Sequence, residues 1–341
     1  MKLMPDRKAG MGLALACAFL AACGGSDRST VASTTPTAMP SPTPSPTPSP
    51  VSGNWQLVWA DEFDGTTLDA ERWTALEDCW GGGNEERQCY TPRTENVALE
   101  NGRLILTARR EQWTGPAWPR SFGPSGTDPN ETRTKPFTSG KITSEGLESW
   151  TFGRFEIRAR FPQGQGVWPA FWMLPERNFY GPWAASGEID ILEIINPGVE
   201  CDTCEHGGEN SIYGTLHFGG QWPDNDSFSQ DHSFPGLLDG EFHTYGVIWE
   251  QGRFIWTVDG ESYAEMTSDH WYSAGGAGMH APFDRPFHLI VNLAIGGRWP
   301  EDNALGGVSA EGFPKRMEVD WVRVWQCDAD SSTGRGCAGD D

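Results

Sequence analysis

Three carboxylates crowd one short stretch, Ser186-Gly187-Glu188-Ile189-Asp190-Ile191-Leu192-Glu193-Ile194. Acid and isoleucine alternate as far as Ile191, so in a β-strand Glu188 and Asp190 share one face and Ile189 and Ile191 the other. Strict alternation would then turn Glu193 into the core, where an unpaired carboxylate is costly. A β-bulge near Ile191-Leu192 removes the conflict: it adds one residue, returns Glu193 to the acidic face and keeps Ile194 in the core. The Cα atoms of Glu188 and Glu193 then stand four ladder steps apart, roughly 13 Å at strand rise. Side chains leaning together can close the carboxyl gap to about 5 Å, the spacing of a retaining glycoside hydrolase. In that chemistry one Glu attacks the anomeric carbon and the other protonates the leaving oxygen. Asp190, between them, bonds the nucleophile and helps keep the acid protonated. The pattern alone also admits a calcium site or a merely acidic strand.

The elements that must hold this strand are β. Between about Asn54 and Gln326 there is no linker, no internal repeat and no long helical periodicity. Short alternating segments are separated by Gly, Pro, Asn and Asp, as in a sandwich or barrel. Val97–Ala108 carries two apolar runs around Asn101-Gly102, a two-residue hairpin signal, and Asp259-Gly260 closes another strand. In Phe152–Phe161 the residues Phe155, Ile157, Ala159 and Phe161 form an apolar face. Arg154, Glu156, Arg158 and Arg160 form the opposite one, either a solvated outer surface or a polar cleft wall. In Ile212–Phe218, Ile212, Leu216 and Phe218 oppose Tyr213, Thr215 and His217.

The acidic strand resembles the bulged ExDxxE signature of glycoside hydrolase family 16. Its neighbours resemble the laminarinase (endo-β-1,3-glucanase) branch of that family. They are Asn84-Glu-Glu-Arg-Gln88-Cys-Tyr90-Thr, Phe152-Gly-Arg-Phe-Glu-Ile-Arg158, Gly166-Val-Trp168-Pro-Ala-Phe-Trp172-Met-Leu, Gly214-Thr-Leu-His217-Phe, Asn292-Leu-Ala-Ile-Gly-Gly-Arg-Trp299-Pro and Val319-Asp320-Trp-Val-Arg-Val. The resemblance covers nearly all of residues 55–326 in order. It implies an all-β jelly-roll sandwich, concanavalin A-like, with a concave substrate cleft, and a retaining enzyme that cleaves β-1,3- or mixed-linkage β-glucan without a catalytic cofactor. It implies Glu188 as nucleophile, Asp190 as its helper and Glu193 as acid/base. It implies sugar contacts at Asn84, Glu156, Arg158, Trp168, Trp172 and Trp183, with His217 near the acid/base. It also implies a structural calcium at Glu62, Gly102 (carbonyl) and Asp320, hard oxygen donors that suit that ion. A β-galactan hydrolase shares the acidic signature, and a glucan-binding protein lacking hydrolysis is the other alternative. Two segments depart from the pattern: the loop from Cys201 to Glu209, and an extended stretch from Trp113 to Lys135. Either can reshape one end of the cleft.

The remaining features concern placement. Lys2, Arg7 and Lys8 precede an apolar run, Met11–Ala22, too short to span a bilayer, and Leu20-Ala21-Ala22-Cys23-Gly24 resembles a bacterial lipobox. The expected organisation is a signal peptide at residues 1–22, a lipidated Cys23 heading a Ser/Thr/Pro tether to residue 53, the catalytic domain at 54–327 and a short tail at 328–341. That makes an exported, envelope-anchored lipoprotein, acting as a monomer on a polysaccharide. Of the 341 residues, 47 are acidic and 25 basic, for a net charge of -22. Such a chain repels phosphates, so nucleic acid is not a partner. Six cysteines lie beyond the export segment; in an oxidising compartment they pair most simply as 79–89, 201–204 and 327–337. The run Cys201-Asp-Thr-Cys204-Glu-His206 also reads as half of a zinc site, but no second Cys/His pair stands at suitable spacing. The 17 Trp divide into candidates for sugar stacking, Trp222 among them, and a set expected in the core: Trp249, Trp256, Trp321 and Trp325.

Overall fold

The computed structural model describes residues 54–120, 127–201, 209–233, 240–276, 278–302 and 307–339. The export segment and tether therefore lie outside the described residues, as does most of the Cys201–Glu209 loop. In chain order the strands are β1 (Trp55–Asp61), β2 (Thr74–Ala75), β3 (Gln88–Tyr90), β4 (Val97–Leu99), β5 (Leu104–Ala108), β6 (Trp113–Pro116), β7 (Thr132–Lys135), β8 (Phe137–Ser139), β9 (Lys141–Thr143) and β10 (Gly153–Arg160). There follow β11 (Val167–Pro175), β12 (Glu188–Glu193), β13 (Ser211–Gly219), β14 (Asn225–Ser233), β15 (His243–Glu250), β16 (Arg253–Val258), β17 (Glu261–Thr267), β18 (Phe287–Ile295) and β19 (Lys315–Cys327). The one α-helix among the described residues, α1 (Arg298–Asp302), is a single turn.

Two antiparallel sheets form the sandwich. One runs β17-β16-β15-β10-β19-β5-β4, with β1 also on β19; the other runs β14-β13-β12-β11-β18-β9-β2. The hairpins follow the turn chemistry of the sequence. Asn101 and Gly102 both take positive φ between Leu99 and Leu104, as do Asp259 and Gly260 between Val258 and Glu261, which is what a right-twisted two-residue turn requires. Between the sheets the apolar alternation closes as expected: Phe155, Ile157 and Ala159 of β10 face Phe171, Met173, Ile189 and Leu216 across a continuous core. Trp249 and Trp256 are fully buried in it.

Trp321 and Trp325 differ from expectation. They alternate with Val322 and Val324, which take the core positions, so the two indoles lie half-buried on the outer face of the eight-stranded sheet beneath Arg323 and Arg154. A Trp beside a valine in a strand reads as core only if the parity is assigned correctly. Here the smaller β-branched residue is the one inside.

Two disulfides form as local pairs, Cys79–Cys89 and Cys327–Cys337. Cys201 is also disulfide-bonded, which removes it from a zinc-ligand role; its expected partner Cys204 is outside the described residues. The segment after β19 is fastened to the domain: Arg335 donates to the Gln251 carbonyl, and Asp328 N–H to that of Asn54.

Candidate active site

The acidic strand is β12, in the middle of the seven-stranded sheet, and it is bulged. Against β11 the register runs Ala170↔Glu193 and Phe171↔Leu192, then slips to Trp172↔Asp190; against β13 it runs Asp190↔Thr215, then Glu193↔Tyr213. Ile191 is the extra residue. It and Leu192 are both buried, and Glu188 and Glu193 emerge together on the outer face. The core supports the slip directly. Trp256 of the opposite sheet donates its indole N–H to the Asp190 carbonyl at 2.8 Å. Its ring lies under Gly214, where an added Cβ would meet the ring at 2.5 Å. A residue with a side chain at position 214 would displace the indole and with it the support of the bulge.

On that outer face the strand registers assemble one surface. His217 stands opposite Glu188; Thr215, Asp190, Trp172 and Ile290 form the next row; Tyr213, Glu193, Ala170, Asn292 and Lys141 form the one beyond. Each Glu is held by a tryptophan. Trp183 Nε1 donates to Glu188 Oε2 at 2.6 Å, and Trp168 Nε1 to Glu193 Oε1 at 3.0 Å. His217 Nε2 lies 3.3 Å from Asp190 Oδ2 and 3.9 Å from Glu188 Oε1. It thus sits opposite Glu188 rather than beside Glu193.

Burial dominates the electrostatics. It raises the pKa of Glu188 to about 7, assisted by the Asp190 charge and opposed by His217 and the Trp183 N–H. Burial also raises Asp190, and raises Glu193 well above the ordinary carboxylate range, with Asp190 and Glu188 adding to the latter. Three carboxyls on one desolvated face cannot all be charged. An indole donor and His217 favour charge on both glutamates, but Glu188 is raised less, to about 7, and ionises first, leaving protons for Asp190 and Glu193. The N–H of Trp183 therefore has a measurable role. In Trp183→Phe the acid limb of kcat/KM is expected to move to higher pH, because a donor that stabilises the charged Glu188 is gone; an unmoved limb would contradict the assignment.

The aromatic residues separate by access. Trp183 is 37% exposed and offers an open face, whereas Trp168 is only 8% exposed and packs edge-on against Trp299. Trp172 is half-buried; its Nε1 donates to Asn292 Oδ1, and Lys141 Nζ stands 4.9 Å from its ring centre. Asn292 in turn donates to Tyr90, whose hydroxyl donates to buried Glu86. Asn84 lies in the loop beside this group, its carbonyl accepting from Arg298 N–H where α1 begins. Lys141, Glu86, Tyr90 and Asn292 were not singled out by sequence. The segments Asn84–Thr91 and Asn292–Pro300 carried the signal for three of them; nothing in the sequence around Lys141 marks it. Within the extended stretch β6 pairs antiparallel with β7, and Lys135 at its end donates to the Glu86 carbonyl. It therefore borders the Asn84 end of this face.

Glu156 and Arg158 are not part of it. Both lie on β10 of the other sheet with side chains opposite the core, so the whole thickness of the sandwich separates them from Glu188. Glu156 is bonded to Arg154, and Arg158 to Asp320 at 2.5 Å. The expected face of Phe152–Phe161 is an outer ion-paired surface, not a cleft wall, because β10 pairs with β15 and β19. The calcium set lies on that same side. Glu62 receives two bonds from Arg323, and Asp320 is ion-paired with Arg158 and Arg103. With both carboxylates already neutralised by guanidinium groups, the set does not fit a divalent cation.

The chain matches glycosyl hydrolases family 16 over residues 84–323, which include the whole face just described. The chain belongs to this family. Among curated relatives it is 40% identical over 283 residues to glucan endo-1,3-beta-glucosidase A1 of Niallia circulans, covering 79% of this chain but only 38% of the relative. It is 37% identical to a beta-glucanase of Rhodothermus marinus, covering 80% of this chain and 86% of the other. The crystal structure of the laminarinase from Rhodothermus marinus superposes with a TM-score of 0.64 at 35% identity, over 80% of this chain and 98% of that one. The family 16 fold and the glycoside hydrolase class follow; such hydrolases need no catalytic cofactor.

Proposed function

We propose that the protein is a retaining endo-β-1,3-glucanase acting on laminarin-type or mixed-linkage β-glucan. The observation that carries this reading is the bulged β12: two Glu on one face, each held by an indole N–H, with Asp190 between them. Glu188, as carboxylate, attacks the anomeric carbon. The bond to the leaving oxygen breaks as Glu193 gives that oxygen its proton. Glu193, now ionised, takes a proton from water, whose oxygen displaces Glu188 and restores both groups. Asp190 keeps a proton that it donates to Glu188 whenever that carboxylate is free. Trp183 offers its open ring face to a sugar, while Trp168 acts mainly through Glu193.

The reading is tested on a panel of laminarin, lichenan, agarose and carrageenan. New reducing ends should appear fastest from laminarin, with the β-anomer formed first by NMR. Preferential cleavage of agarose or carrageenan would substitute a β-galactan, and an α-anomer as first product would overturn the retaining mechanism. Tight laminarin binding without hydrolysis would leave a binding protein, a reading disfavoured by the presence of both Glu.

We also propose export and anchoring through a lipidated Cys23. The charged start, short apolar run and Cys23-Gly24 site support it, as do disulfides that persist only in an oxidising compartment. Calcium is not proposed at Glu62, Gly102 and Asp320. EDTA is expected to leave Tm unchanged, and a fall of several degrees reversed by Ca²⁺ would restore that site.

A further inference from the structure

We propose that Glu188, Asp190 and His217 form a reversible binding site for Zn²⁺, so that the cleft carries a metal-sensitive switch as well as a glucan site. One carboxylate oxygen from each acid and one His217 nitrogen lie within 4.8 Å of one another. Zinc takes imidazole nitrogen and carboxylate oxygen at about 2.0–2.1 Å, and tetrahedral angles then place neighbouring ligand atoms about 3.3 Å apart. The distances from His217 Nε2 are 3.3 Å to Asp190 Oδ2 and 3.9 Å to Glu188 Oε1. The second pair is wider than that tetrahedral spacing by about 0.6 Å.

The donor atoms are also available. Asp190 is 2% exposed, and its Oδ2 makes no hydrogen bond, only the 3.3 Å approach of His217 Nε2, so this buried oxygen keeps acceptor capacity for a ligand. Trp183 occupies Oε2 of Glu188 and leaves Oε1 turned toward the histidine. The indole bond also fixes that carboxylate, as supporting contacts around metal ligands do. His217 and Glu188 retain 25% and 16% of their side-chain exposure, which leaves an entry path and a fourth position for water. A hard cation that prefers six or more oxygens finds too few here, whereas zinc accepts one nitrogen and two oxygens.

Zinc at this position displaces the proton of Asp190 to solvent, so its affinity rises with pH, and it takes the oxygen of Glu188 that faces the cleft, which blocks attack on the sugar and competes with glucan. The competition rests on the catalytic role proposed for Glu188; the binding does not. The test uses the whole chain, freed of metal with a chelator that is then removed. Titration calorimetry with ZnCl₂ should give one site that excess laminari-oligosaccharide suppresses. Co²⁺ should give the visible absorption of a four-coordinate ion. His217→Gln and Asp190→Asn should each weaken Zn²⁺ binding at least about tenfold, and His243→Gln, remote on β15, should not. Inhibition of laminarin hydrolysis should be competitive. Unchanged affinity in a folded His217→Gln or Asp190→Asn, or no binding up to millimolar Zn²⁺, overturns the site. If both variants fail to fold, zinc binding to the native chain that excess oligosaccharide leaves undiminished overturns it. Metal binding displaced by oligosaccharide in a protein that does not hydrolyse laminarin would keep the site and reject the hydrolase.

Discussion

Replacing Glu193 with Gln is expected to lower kcat on laminarin by roughly 10²–10⁴, the usual worth of a positioned general acid. Replacing Glu188 with Ala should cost about 10⁴ or more, because the covalent route itself is lost. The two losses differ in kind. Glu193 is needed to protonate a poor leaving oxygen, so Glu193→Gln should recover most on an aryl glucoside that departs without a proton, and the basic limb of its pH profile should vanish. Glu188→Ala should not recover that way. Azide should rescue each variant from a different side: from the face that Glu188 leaves, giving an α-glycosyl azide, and from the water side in a Glu193→Ala variant, giving the β-azide. Rescue with the opposite anomers would exchange the two roles. Full activity in either Glu variant would remove both assignments.

The same cluster should make the enzyme more stable once its nucleophile is neutralised. Glu188 titrates at about 7 in the folded protein, against 4.5 for an ordinary glutamate, chiefly because it is buried. A carboxyl whose folded pKa is raised binds its proton more tightly in the native state. Its contribution is therefore fully present below about 4.5 and is lost as pH rises through about 7. The displacement corresponds to roughly 3 kcal/mol at most. Glu188→Gln keeps the shape of the protonated side chain and never ionises. It should match the native protein at pH 4 and exceed its Tm at pH 8 by about 5 °C or more. A Tm difference that is the same at both pH values, or a lower Tm at pH 8, would refute it. The native cleft is thus a place where stability is given up to hold charge in a dry environment.

How much of this was legible in the sequence depends on the range of the interaction. The alternation of Glu188, Ile189, Asp190 and Ile191, and the cost of burying Glu193, already required a bulge, and the ladder slips at Ile191. Both rules concern neighbours along one strand. Asn101-Gly102 and Asp259-Gly260 turn as expected for the same reason. The local disulfide pairs 79–89 and 327–337 close short loops and were equally predictable.

What failed needed knowledge of which sheet a strand enters. The polar face of β10 could be a cleft wall or an outer surface; its pairing with β15 and β19 puts Glu156 and Arg158 on the far side of the sandwich from Glu188. Trp321 and Trp325 are turned outward by a parity that favours the intervening valines. Lys141 reaches Trp172 only because β9 pairs with β18. By itself the sequence determined the family, the bulged acidic strand and the class of chemistry, since these follow from residue type and spacing along the chain. The tertiary structure alone decided what surrounds the acids: the indole held on each Glu, the unpartnered oxygen of Asp190 beside His217, and the arginines that take the calcium carboxylates. These contacts join residues far apart in sequence, and burial, which sets the proton affinities, exists only once the two sheets have closed.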